Sequence, residues 1–210
     1  MIQAPTNNII VSVATKYIQS VGAISKLSAI QNATSVGMED LVQIVGKIES
    51  LPKMISPHNE YKGYSTKDMK VGDTILFSYQ VIHDMKVVDG QEGLEFANSF
   101  VHDGKEYFLC NIRHAFAVIR GEDIIMVNGY VMLSACEEKK IIIPHSAKRT
   151  VMAAFSEVLE IGHSRTHLSP INAKKGDTVF FDEKKAQKYE LNHKKFLIIP
   201  QYKILGSKKE

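Results

Sequence analysis

The chain has 210 residues, enough for one large core or two small ones. Hydrophobic residues make up 44% and charged residues 23%, the balance of an ordinary globular protein, and no apolar run reaches the roughly 18–20 residues that a membrane helix requires. The net charge of +3 comes from dispersed lysines such as Lys139-Lys140, Lys174-Lys175 and Lys194-Lys195, interspersed with Asp and Glu. With no basic stripe interleaved with aromatics, nucleic-acid binding is not expected.

The segment from Met1 to Asn8 has no basic stretch followed by an apolar one, so no secretory signal is read and the cytoplasm is the expected location. Ile9-Ile10-Val11-Ser12-Val13 is a β-branched run and predicts a strand. From Gln19 to Asp40 the chain is rich in Ser, Ala, Asn and Gly with isolated apolar residues, a composition that buries little and predicts a flexible loop at about 19–41. Within it lies the apolar cluster Gly22-Ala23-Ile24-Ser25-Lys26-Leu27. Apolar residues three to four apart in Gly37 to Val45 predict a helical turn, as does Glu183 to Lys188.

Further strands are predicted at Asp73–Phe77, Tyr107–Cys110, Val127–Leu133, Ser156–Ile161 and Phe196–Ile199, each bounded by Gly, Asn, Asp or Pro. The fold class is all-β. Two cysteines, Cys110 and Cys136, sit beside apolar strand-like sequence, where a reduced thiol behaves as a small hydrophobe, and no disulfide is expected.

The same features occur twice. Lys70-Val71-Gly72-Asp73-Thr74-Ile75-Leu76-Phe77 reappears as Lys174-Lys175-Gly176-Asp177-Thr178-Val179-Phe180-Phe181. In this Lys-x-Gly-Asp turn Gly72 and Gly176 supply a positive φ, and Asp73 and Asp177 supply acceptors for backbone N–H groups. Each half starts with an Asn-led strand and carries a lysine-bearing turn before a strand, at Gly104–Leu109 and at His193–Ile198. Each closes alike, at His114–Ile119 and at Lys203–Gly206. The expected domains are 1–124 and 125–210. The first carries an insertion at about 79–103, where Asp89-Gly90 and Glu92-Gly93 signal an added hairpin.

In the second half this order of motifs resembles the GroES co-chaperonin family. Val127–Leu133 looks like the family's first strand, and Ile141-Ile142-Ile143-Pro144-His145-Ser146-Ala147-Lys148 is similar to its Ile-Val-Leu-Pro-Asp-Ser-Ala-Lys pattern. Ser156–Gly162 is similar to Gly-Glu-Val-Leu-Ala-Val-Gly, and Lys175–Phe181 to Val-Gly-Asp-x-Val-Leu-Phe. Lys188-Tyr189-Glu190-Leu191 and Lys203-Ile204-Leu205-Gly206 match the closing segments. The first half matches through Lys70–Phe77 and Tyr107–Gly121. The resemblance extends to phage-encoded members and implies two GroES-like small β-barrels in tandem.

It also implies a homo-oligomeric ring that caps a GroEL-type chaperonin through hydrophobic mobile loops, without catalysis, cofactor or metal. In a viral member the location would be the host cytoplasm. By position in the resemblance the contact tripeptide is Ile141-Ile142-Ile143, while the longer loop of the first half offers Ile24 and Leu27. Three consecutive isoleucines also suit a buried strand, and Ile24 and Leu27 also suit a short helix packed on its own barrel, so two places stand for the contact. The alternatives are a GroES-fold structural or interaction protein that no longer binds chaperonin, and a small barrel that binds nucleic acid or a ligand.

Enzymatic signals are thin. His163 and His167 have the spacing of two ligands on one helical face, but Gly162, Ser164 and Pro170 argue for a loop and no carboxylate or cysteine cluster completes a site. Cys110 and His114, four apart in a strand-like run, would not meet as a nucleophile and base. Phosphate loops and nucleophile elbows are absent from the sequence.

Overall fold

A computed structural model describes residues 2–14, 44–78, 80–83, 85–87, 94–135, 140–146, 149–162, 173–191 and 194–208. The chain divides into two compact units, Met1–Asp123 and Ile124–Glu210. The protein is all-β: two large antiparallel sheets and a small two-stranded one hold the described strands, and the described residues include one short α-helix, α1 (Gln80–His83).

In the first unit β1 (Asn8–Val13) pairs with β2 (Ile44–Ser50) and β7 (Lys105–Asn111), β2 with β3 (Thr74–Phe77), β3 with β8 (Ala115–Arg120), and β6 (Ser99–His102) with β7. The sheet runs β6-β7-β1-β2-β3-β8 and ends in β9 (Asp123–Met126), the strand that carries the boundary. A separate two-stranded sheet joins β4 (Met85–Val87) to β5 (Leu94–Phe96).

The second unit has β10 (Tyr130–Ser134), β11 (Lys140–Ser146), β12 (Arg149–Ile161), β13 (Thr178–Asp182), β14 (Gln187–Leu191), β15 (Lys194–Pro200) and β16 (Ile204–Lys208). Its sheet runs β14-β15-β10-β12-β13-β16, with β11 attached to β12.

The two paths are the same plan at residue level. Val11 faces Ile48 as Leu133 faces Val158, Ile10 faces Leu109 as Met132 faces Ile198, and Ile75 faces Gly46 as Val179 faces Ser156. The register slips at equivalent points, between Ile10 and Val11 and between Met132 and Leu133, and again between Leu76 and Phe77 and between Phe180 and Phe181. Bulges fix register, because a one-residue slip sends every side chain to the opposite face. The inner positions therefore match: Ile9, Val11, Ile48, Ile75 and Phe77 of the first core correspond to Val131, Leu133, Val158, Val179 and Phe181 of the second, all fully buried. Cross-strand aromatic pairs recur too, Phe100 stacked on Tyr107 with centroids 5.7 Å apart and Tyr189 on Phe196 at 5.9 Å.

Several local expectations change. Ile44 and Val45, expected to end a helical turn, open strand β2 and pair with Phe77 and Leu76; the rest of that turn lies outside the described residues. Pairing with β3 overrides a short amphipathic pattern. Glu183–Lys185 forms a 3-10 turn capped by the Asp182 carboxylate, which accepts from Lys184 N at 3.1 Å, and the chain then re-enters strand at Gln187. Val127–Gly129 is a turn ahead of β10, with Asn128 at φ 56° and the Tyr130 N–H given to the Val127 carbonyl at 3.1 Å.

The added hairpin of the first unit is the β4–β5 pair. The insertion is narrower than 79–103, since β6 pairs with β7 as β14 pairs with β15 and so belongs to the repeated plan. Helix α1 buries Val81 and Ile82, and Asn98 Nδ2 donates to the Val81 carbonyl at 3.3 Å.

Candidate functional site

Each unit launches its third plan strand from the Lys-x-Gly-Asp turn. Lys70 N donates to Asp73 Oδ2 and Lys174 N to Asp177 Oδ2, both at 2.8 Å. Gly72 N binds the Ile48 carbonyl at 2.8 Å and Gly176 N the Val158 carbonyl at 2.9 Å. Gly72 and Gly176 sit at φ 95° and 91° in open space, so conformation and not crowding demands glycine there. These turns are scaffold: they fasten β2 to β3 and β12 to β13.

Among the described residues, only the first turn has an arginine fork. Arg120, at the end of β8, donates from Nε to Asp73 Oδ1 at 3.0 Å and from Nη2 to Asp73 Oδ2 at 2.6 Å. This bidentate bond holds the Asp73 carboxyl below its usual range, and the Asp73 side chain is only 8% exposed. No sequence signal marks Arg120 as its partner.

Ile141, Ile142 and Ile143 lie in β11, opposite Ala153, Met152 and Val151 of β12. Strand β12 is shared along its length: Val158, Glu160 and Ile161 pair with β10, Ala153–Glu157 with β13, while residues 149–152 have β11 as their strand partner. The hairpin of β11 and the start of β12 therefore extends past the last β13 pairing, Ala153 with Asp182, as a two-stranded arm. Pro144 in β11 offers no N–H and suits an edge. A two-stranded ribbon is marginal by itself and gains from a partner.

The arm occupies the connection from β10 to β12. Its counterpart is the connection from β1 to β2, which carries Ile24 and Leu27; both residues lie outside the described ones. The two apolar clusters thus belong to equivalent connections, a relation invisible until strand order is known.

Among the described residues, the other groups read from the sequence do not combine into a site. Cys110 is fully buried, its thiol pushed well above the ordinary value by desolvation, so it is core and not a nucleophile. His163 and His167 lie outside the described residues. Among the described residues no cluster of three or more His, Cys, Asp and Glu could hold a metal, and no helix is long and apolar enough to cross a membrane.

What the fold and this arm define is an all-β protein of a repeated six-strand plan, with the distinguishing apolar element on the connection after the first strand. Comparison with known families bears on the second half: residues 122–207 match the model of the chaperonin 10 Kd subunit, consistent with a GroES-type co-chaperonin domain there. That family is one of non-enzymatic co-chaperonins. No curated protein matches the sequence.

Proposed function

We propose that this protein is a co-chaperonin lid, a homo-oligomeric ring that caps a GroEL-type chaperonin and assists ATP-dependent folding in the cytoplasm, that of a host if the chain is viral. The observation that carries this reading is the chaperonin-10 match over the unit whose first connection bears Ile141–Ile143. The first unit is read as a second, divergent copy of the same barrel, supported by its shared strand order, registers and bulges. The contacts are apolar residues on the two equivalent connections: Ile141, Ile142 and Ile143 on one, Ile24 and Leu27 on the other. A ring of linked contacts gives overall affinity by multivalency even where each single contact is weak.

Size-exclusion chromatography with light scattering, with and without a GroEL-type chaperonin and ATP, tests this. The expected result is an oligomer that co-elutes with the chaperonin only when nucleotide is present. A monomer that never co-elutes removes the lid reading. A second reading, a structural or interaction protein of the same fold without chaperonin binding, is favoured by one observation: the isoleucine run is paired into β11. An oligomer that ignores the chaperonin in the same experiment supports it.

A further inference from the structure

The connection from β2 to β3 in the first unit is closed at its neck. Ile48 N binds the Asp73 carbonyl at 2.9 Å and Gly72 N binds the Ile48 carbonyl at 2.8 Å, so the chain leaves and returns at one point, as in an Ω-loop. The neck is strong: Asp73 is gripped by the Arg120 fork, and Arg120 Nη2 also donates to the Asp68 carbonyl at 3.3 Å. Pro52 and Met69 are buried at the two ends, and no residue from 53 to 68 is buried.

The body is held by polar contacts. Arg113, just ahead of β8, places its guanidinium over the Tyr61 ring at 5.2 Å and pairs with Glu60 at 3.3 Å. Asn111 Nδ2 donates to Tyr61 Oη at 3.1 Å, and the Ser56 N–H reaches across to Asn7 Oδ1 at 2.7 Å. Arg113 and Glu60 are 42% and 53% exposed, so their attraction is screened by salt. At the equivalent corner of the second unit Tyr202 stands for Arg113, Pro200 for Asn111 and Gly129 for Asn7, and none can make these bonds.

We infer that residues 53–67 form a strap that lifts as a unit from the corner of β7 and β8 while its neck stays shut, with Arg113 as the releasable latch. A segment with almost no apolar burial and half-exposed polar ties opens at far lower free energy than the sheet beneath it. The strap is a conformational device of the first unit, and it stands whether or not the protein caps a chaperonin.

Amide hydrogen exchange on the full-length protein, with the Ser56 N–H as reporter, tests this. In the parent protein Ser56 exchanges faster than the β7 amides and faster still on going from low to high salt. Arg113→Ala raises Ser56 exchange about tenfold at low salt and removes the salt effect, with β2, β3 and β7 unchanged. Glu60→Gln also removes the salt effect, and it serves if Arg113→Ala does not fold. The inference is overturned if Ser56 is as protected as β7, if salt has no effect on the parent protein, or if either variant speeds exchange evenly through the unit.

Discussion

Gly162 gives its N–H to the carbonyl of Tyr130 at 2.9 Å, at a point where a Cβ on Gly162 would lie 2.9 Å from both the carbonyl carbon and the oxygen of Met126. Those neighbours are backbone and cannot rotate away. The glycine that ends the Ser156–Gly162 motif is therefore a packing requirement at the close of β12. Its own carbonyl accepts from Gln201 Nε2 at 2.6 Å, which ties the same point to the corner before β16.

Gly162→Ala is accordingly expected to lower stability by about 1–3 kcal/mol, through forced displacement of the Met126 backbone. Urea unfolding followed by circular dichroism measures it. A midpoint equal to that of the parent protein would show that the segment before β10 yields freely.

The repeats share positions without being interchangeable. Gly46 and Ser156 are equivalent, yet a Cβ at Gly46 would lie 2.9 Å from the Ser12 carbonyl oxygen and 3.0 Å from the Phe77 ring, whereas Ser156 fits and donates to the Ser134 carbonyl at 2.6 Å. Gly46→Ser is expected to cost about 1–3 kcal/mol by overpacking. Ser156→Gly is expected to cost about 1 kcal/mol, from one hydrogen bond and added chain entropy. Equal losses in the two variants, read by denaturant titration, contradict this.

The Asp73–Arg120 fork makes stability depend on pH in one direction. Because the folded-state carboxyl is held below its unfolded value, the stabilisation is complete above the ordinary aspartate value of about 4, and is lost as pH falls through that value toward the depressed one. Asp73→Asn lacks this titration. Its thermal midpoint should sit below that of the parent protein at pH 7, and the gap should close on acidification toward pH 2. A gap that persists unchanged at low pH would refute the assignment.

If the two equivalent connections make the contact, replacing Ile141, Ile142 and Ile143 with Ser weakens nucleotide-dependent chaperonin binding. Replacing Ile24 and Leu27 with Ser does so independently. Each should lower affinity by about tenfold or more, since multivalent binding multiplies small losses at every repeated contact. Retained secondary structure by circular dichroism separates loss of contact from loss of fold. Binding unaltered by either set places the contact elsewhere.

The aromatic pairs offer a test of the duplicated plan. A double-mutant cycle on Tyr189 and Phe196, stacked at an interplanar angle of 16°, should give a coupling of about 0.5–1.5 kcal/mol. Phe100 and Tyr107, at 25°, should give a similar value. Burial also raises the Tyr189 phenol above its ordinary value, so it ionises after the exposed tyrosines in an absorbance titration.

The β class was legible in the residues because strand alternation and turn glycines are local: Gly72 and Gly176 announce a positive φ from their immediate neighbours alone. The recurrence of Lys-x-Gly-Asp was legible for the same reason, and it marks the turns that lead into β3 and β13. Short amphipathic stretches misled, as at Ile44 and Val45, because a few residues cannot distinguish a helical turn from a strand whose partner lies far along the chain.

By itself, then, the sequence determined an all-β chain with a repeated turn-and-strand grammar and a second half resembling a co-chaperonin, all carried by contiguous motifs. Tertiary structure alone decided what depends on distant pairing. It joined Asp73 to Arg120 across 47 residues, drew β6 into the repeated plan, and put the isoleucine run on an arm of β12. It also assigned the two apolar clusters to equivalent connections. Register and strand order arise from which faces are buried together, and that information is held between segments and not within any one of them.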